Sequence, residues 1–188
     1  MAATVDDAIR SLESGGLVVY PTDTLVGLGA RATDRRAVGR LVAVKARPDG
    51  LPISVAVSSY EEIEPWVRWG PATRAVARRL LPGPYTLLLP GSRAAVRDLA
   101  PGILGPDRSL GVRIPDHPLA RALAEAVGPL TCTSANRHGA PPALTIQDAM
   151  GQLKDEVDVY VDGPPAPSGR PSAVVDLRGA KVRVIPRS

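Results

Sequence analysis

Residues 17–47 read LVVYPTDTLVGLGARATDRRAVGRLVAVKAR, and the fold is decided here. Leu17-Val18-Val19-Tyr20 is a short apolar, β-branched run of the kind that forms a buried strand. Pro21 must end it, because its ring fixes φ and removes a backbone donor. Thr22, Asp23 and Thr24 then emerge where strands of α/β sheets deliver functional groups. Gly27 and Gly29 are expected to leave backbone N–H groups uncovered for an anion or a flat ligand. From Asp34 to Ala46, Ala37, Val38, Leu41, Val42 and Val44 mostly keep helical spacing, and Lys45 and Arg47 end the helix. Taken singly, such cations complement a helix dipole and such a turn caps itself. Together they tether two positive charges a short distance from a hydroxyl-lined turn.

Working outward, Thr4 with Asp7 forms a capping box that opens a helix to about Ser14, and Gly15-Gly16 stops it. Pro52–Val57 reads as a strand, Ser58–Trp66 as a short helix, and Pro71–Leu81 as a clearer one with Arg74, Arg78 and Arg79 outside. Leu81-Pro82-Gly83-Pro84 is a turn before a strand over Tyr85–Leu89. Arg93–Asp107 is loop-like. Ser109–Ile114 is a strand, followed by a helix to about Val127. Leu130–Thr133 is a strand that delivers Ser134-Ala135-Asn136, and Thr145 with Asp148 caps a helix to about Leu153. Strands over Val157–Val161, Ser172–Leu177 and Val182–Ile185 complete the chain. Strands separated by helices, with adjacent strand pairs late on, predict an α/β fold with a mixed sheet in one domain over residues 1–188.

The chain has 188 residues, enough to bury a core. It contains no Phe, so Leu, Val, Ile and Ala must form that core. Its 20 prolines are about twice the usual share and predict stiff loops. Cys132 is the only cysteine, which excludes an intramolecular disulfide and a Cys-based zinc cluster. No signal pattern precedes the first helix and no apolar run approaches the roughly 18 residues of a membrane span, so a cytoplasmic protein is expected. The net charge of +4 permits nucleotide or RNA binding, while 3% aromatic content argues against a stacking platform for single strands. His117 and His138 have no spacing of a known ligand set, and no metal site is expected. Cys132 has no assignable His partner, so a buried strand thiol is the simpler reading. The glycine turns match neither a Walker A loop nor a dinucleotide fingerprint.

Four motifs carry a family likeness. They are Pro21-Thr22-Asp23-Thr24 with Gly27-Leu28-Gly29; Lys45-x-Arg47-Pro48 with Pro52 beyond; the Pro82-Gly83-Pro84 turn with Gly111-Val112-Arg113-Ile114-Pro115-Asp116-His117-Pro118; and Thr133-Ser134-Ala135-Asn136-x-x-Gly139. Over about residues 10–186 the sequence resembles the YrdC-like family, the threonylcarbamoyl-AMP synthases of tRNA modification, in its short single-domain form. The resemblance implies a twisted open mixed sheet with helices on both faces and a deep concave site. It implies the joining of L-threonine, bicarbonate and ATP into threonylcarbamoyl-AMP and pyrophosphate, with Mg²⁺ held mainly by the ATP phosphates.

Lys45, Arg47, Ser134 and Asn136 match the family's nucleotide-handling residues, with Lys45 and Arg47 as the catalytic cations, and Ser109 matches a nucleotide contact. Thr24, Arg113 and Ser172 match positions that hold the amino acid, Arg113 as a bidentate partner of its carboxylate. Implied partners are threonine and bicarbonate, tRNA indirectly through a downstream transferase, and, weakly, double-stranded RNA, with no membrane. A paralogue that makes another carbamoyl-adenylate and a non-catalytic RNA- or nucleotide-binding module are the alternatives. The sequence departs from the family pattern at Val26, Leu51, Ala56, His138, Ala173 and Pro186.

Overall fold

In the computed structural model, residues 3–48, 50–163 and 168–185 are described. The elements run α1 (Val5–Glu13), β1 (Val18–Tyr20), β2 (Gly27–Gly29), α2 (Arg35–Val44), β3 (Val55–Ala56), α3 (Pro71–Leu80), β4 (Tyr85–Pro90), α4 (Arg93–Asp98), β5 (Ser109–Arg113), α5 (Pro118–Val127), β6 (Leu130–Thr131), β7 (Thr133–Ser134), α6 (Ile146–Leu153), β8 (Val159–Tyr160), β9 (Ala173–Asp176) and β10 (Arg183–Ile185). The α/β class with mixed strand pairing is as the sequence predicts.

The strands form two sheets. One has the order β7-β2-β1-β8 and the other β10-β9-β4-β5-β3-β6. The chain passes from the larger to the smaller sheet at Cys132, so the single strand expected over Leu130–Thr133 is two short ones. Thr131 anchors that crossing. Its backbone N–H donates to Ala30 O at 2.8 Å and its hydroxyl accepts from Ala30 N at 2.9 Å, with the residue fully buried.

The capping boxes at Thr4 and Thr145 form as read. Three other expectations need correction. Gly27 and Gly29 do not leave an open turn; they pair with Tyr20 and Val18 in an antiparallel ladder. Glycine is needed there because a Cβ at Gly29 would lie 2.8 Å from the ring of Tyr20, which is fully buried. Ser58–Trp66 is a run of turns, not a helix. The Glu62 carboxylate accepts from both the backbone and hydroxyl of Ser58, a local bond that competes with helix, and Pro65 cannot continue one. Within the stretch read as a loop, Ser92 caps α4 by accepting from Ala95 N. A helix of six residues leaves too little periodicity to read.

The core is aliphatic, as the absence of Phe requires. Leu41, Ile53, Leu87, Leu89, Leu110 and Ile114 are buried around the larger sheet, while Leu12, Tyr20 and Leu123 fill the layer of α1 and α5 against β1. Among the described residues no helix is long and apolar enough to cross a membrane.

Thr131→Val keeps the side-chain shape and removes the acceptor of a buried N–H. We expect a loss of about 1–3 kcal/mol in urea unfolding, the cost of leaving that donor unpaired. An unchanged midpoint would contradict the anchoring role.

Candidate functional site

The two sheets face each other across a cavity of about 550 Å³. Its volume lies within the roughly 300–1,000 Å³ of small-molecule sites. Alternation along the strands of the larger sheet builds the floor: Val174 from β9, Thr86 and Leu88 from β4, and Gly111 and Arg113 from β5, with Ile53 and Ser54 just before β3. The turn after β1 supplies Thr22, Thr24, Leu25 and Val26, and the β7 segment supplies Thr133, Ser134 and Asn136. Arg47 stands at the rim.

Arg113 joins the two sides. It is 3% exposed, and its Nη2 donates to Asp23 Oδ1 at 2.6 Å while Nη1 donates to Thr24 Oγ1 at 2.9 Å. Its Nε and the second Asp23 oxygen are buried without a partner among the described residues. The fork expected to grip a substrate carboxylate therefore faces Asp23 and Thr24 here. The sequence places Asp23 with Thr22 and Thr24 in the turn that delivers functional groups but assigns it no role; the structure gives it one, as the partner of Arg113. His117, beyond β5, has its Nδ1 buried without a partner, and burial holds its pKa below the usual value despite nearby Asp23 and Asp116.

Arg47 has a different setting. It is half-buried, and its Nε and Nη2 donate to the carbonyls of Leu51 and Pro52 at 3.2 and 2.9 Å. Burial lowers its pKa, and no carboxylate pairs with it among the described residues. Among the described residues no acidic side chain lines the cavity. With Arg113 balanced by Asp23, Arg47 leaves a net positive charge for an anionic ligand.

Lys45 does not line the cavity. It is 2% exposed, and its Nζ donates to the backbone carbonyls of Ser134 and Asn136 at 2.5 and 2.6 Å. Burial and, secondarily, the Arg47 charge bring its pKa down to about 8. Ser109 is also turned away: its hydroxyl donates to Asp107 Oδ1 at 2.6 Å, and Asp107 in turn meets Arg178. Ser172 shares a 2.7 Å hydroxyl contact with Thr86 at the floor. Asn136 donates its Nδ2 to the carbonyls of Arg137 and Ala140, and its buried Oδ1 has no partner among the described residues.

The structure thus brings Thr24, Arg47, Arg113, Ser134, Asn136 and Ser172 to one cavity, with Lys45 behind its wall and Ser109 beside it. It adds Ser54, Thr86, Thr133 and Cys132. The hydroxyls of Ser54, Thr133 and Ser134 make no hydrogen bond among the described residues. Ser54 was marked only by being the polar residue in an apolar run.

A sequence model of the Sua5/YciO/YrdC family, described as telomere recombination, matches residues 10–188. The chain belongs to that family. It is 36% identical over 182 residues to a threonylcarbamoyl-AMP synthase of Chromohalobacter salexigens, covering 96% of each chain. A threonylcarbamoyl-AMP synthase of Chromobacterium violaceum is 36% identical over 177 residues, which is 93% of this chain and 89% of that one. Among solved structures, P. abyssi Sua5 complexed with L-threonine superposes with a TM-score of 0.89 at 31% identity. That match takes in 96% of this chain and 52% of Sua5, so the chain spans about half of that protein's length.

The departures from the Sua5/YciO/YrdC pattern fall in several settings. Val26 is buried and lines the cavity, Ala56 is buried in β3, Leu51 and His138 are exposed, and Ala173 pairs with Tyr85. Pro186 lies outside the described residues.

The lowered pKa of Lys45 fixes a pH dependence. Below about pH 8 both folded and unfolded chains hold the proton, and the cost of burying the charge is fully present. Between about 8 and the model-peptide value of 10.5 the folded chain releases it first, so stability rises with pH. Relative to Lys45→Met, wild type should gain on the order of 1–2 kcal/mol in urea unfolding from pH 7.5 to 9.5, at about 1.4 kcal/mol per pKa unit. A difference that stays flat over this window would show that the ammonium is not buried as described.

Proposed function

We propose that this protein is an L-threonylcarbamoyladenylate synthase, which forms threonylcarbamoyl-AMP and pyrophosphate from L-threonine, bicarbonate and ATP for the N6-threonylcarbamoyladenosine modification of tRNA. One observation carries the reading. A chain alike over nearly its full length to threonylcarbamoyl-AMP synthases holds, in one cavity, an arginine and a row of hydroxyls and amides, with no carboxylate on that arginine and no acidic lining among the described residues.

The chemistry suits those groups. Threonine carbamate attacks the α-phosphorus of ATP; an oxygen–phosphorus bond forms, the bond to the bridging oxygen breaks, and pyrophosphate leaves with its electron pair. Both reactants are anions, so alignment and charge neutralisation dominate, and no protein nucleophile is needed. In our assignment Arg47 faces the phosphates, Ser134 and Asn136 hold the nucleotide, and Thr24, Arg113 and Ser172 surround the amino acid. Arg113, with Asp23 on one edge, acts as part of a fixed dipole toward the carboxylate. ATP arrives as its Mg²⁺ complex, the cation held mainly by the phosphates. The product passes to a downstream transferase that acts on tRNA, which makes the tRNA contact indirect, and any binding of double-stranded RNA is weak. The protein works in the cytoplasm as one domain.

With Mg²⁺-ATP and bicarbonate present, purified protein should release pyrophosphate only when threonine is added. Serine should be poorer by roughly 10- to 200-fold, the worth of one methyl group, for which the cavity offers an apolar lining at Leu25 and Val26. Arg47→Ala should lower the rate on the order of 10³-fold, as loss of a charge at a phosphoryl-transfer site does. Release with carbamoyl phosphate in place of threonine and bicarbonate would favour a paralogous carbamoyl-adenylate synthase. Tight, salt-sensitive RNA binding with no ATP turnover would favour a binding module.

A further inference from the structure

We propose that Lys45 is a positioning residue, which aims Ser134 and Asn136 at the nucleotide through their backbone carbonyls and does not itself contact the phosphates. The proposal rests on the reading of the cavity as a nucleotide site.

Lys45 follows the last residue of α2 and is sealed from the cavity, whereas Arg47, two residues on, reaches it. Its ammonium has three donors in a tetrahedral array, and two of them meet the carbonyls of Ser134 and Asn136 at 2.5 and 2.6 Å. Pinning carbonyls on either side of Ala135 fixes two peptide planes, and with them the directions of the flanking side chains. Those side chains are the ones prepared for a ligand: the Ser134 hydroxyl makes no hydrogen bond among the described residues, and Asn136 Oδ1 is buried without a partner.

Two more bonds join the same pieces. His138 N donates to Lys45 O at 2.7 Å, and Arg137 Nη1 donates to Val44 O at 3.1 Å. The end of α2 and residues 134–138 therefore form one unit with Lys45 at its centre. A hydrogen bond from a charged donor is stronger than a neutral one, which suits a clamp that must hold two carbonyls together. Arginine would not replace it, because a planar fork on a longer stem cannot converge on the same point.

The test is a binding series with ATP, ADP and AMP by calorimetry, on wild type, Lys45→Met, Ser134→Ala and the double variant, with amide hydrogen exchange on the unliganded proteins. A positioning role predicts that Lys45→Met weakens all three nucleotides by a similar factor, on the order of 10-fold, and that Ser134→Ala costs little more in its background. It also predicts faster exchange across residues 134–138, with β1 and β5 unchanged. A loss that grows with the number of phosphates, or losses that add, would place Lys45 on the phosphates and overturn the inference. If wild type binds none of the three nucleotides, the functional reading fails, and exchange decides alone: unchanged protection across 134–138 in Lys45→Met would then refute the clamp.

Discussion

A guanidinium buried between two sheets must find partners for its donors or cost several kcal/mol. Arg113 meets that constraint with Asp23 and Thr24, which belong to the turn after β1. The pair therefore fixes the distance between the floor of the larger sheet and the turn carried by the smaller one. The charge balance of the cavity follows from the same contact: Asp23 offsets Arg113, and the cationic character seen by a ligand comes from Arg47. Among the described residues, three of the five buried polar atoms without a partner, Arg113 Nε, Asp23 Oδ2 and Asn136 Oδ1, lie in or beside the same region.

Much of this was legible in the residues. The strand ending at Pro21, the helix after Asp34 and both capping boxes follow from local rules that tertiary packing did not override. The four motifs gathered most of the residues that line the cavity, because each lies at the end of a strand or helix or in the turn beside one. What was not legible depends on contacts distant in sequence. The glycines at 27 and 29 suggested an open, ligand-accessible backbone, but their reason is the Tyr20 ring that lies over them. Nothing near Lys45 announces that its ammonium meets residues 134 and 136, about 90 positions away. Ser109 looked like a ligand contact by position, but Asp107, two residues earlier, takes its hydroxyl. The division into two sheets turns on the change of partner at Cys132, which a continuous apolar run conceals.

The departures from the family pattern sort by location. Val26 is buried and lines the cavity, whereas Leu51 and His138 are exposed, and neither lines the cavity. Ala56 sits in β3 beside Arg113, and Ser54, just before that strand, brings a hydroxyl to the floor.

The central claim is that one cavity joins a carbamate to the α-phosphate of ATP. Mass-resolved detection of the product formed from ¹³C-bicarbonate, L-threonine and Mg²⁺-ATP tests it most directly. The account predicts an AMP adduct that carries threonine and one labelled carbon, formed in step with pyrophosphate. ATP consumed to ADP, or an AMP product without the label, would contradict it.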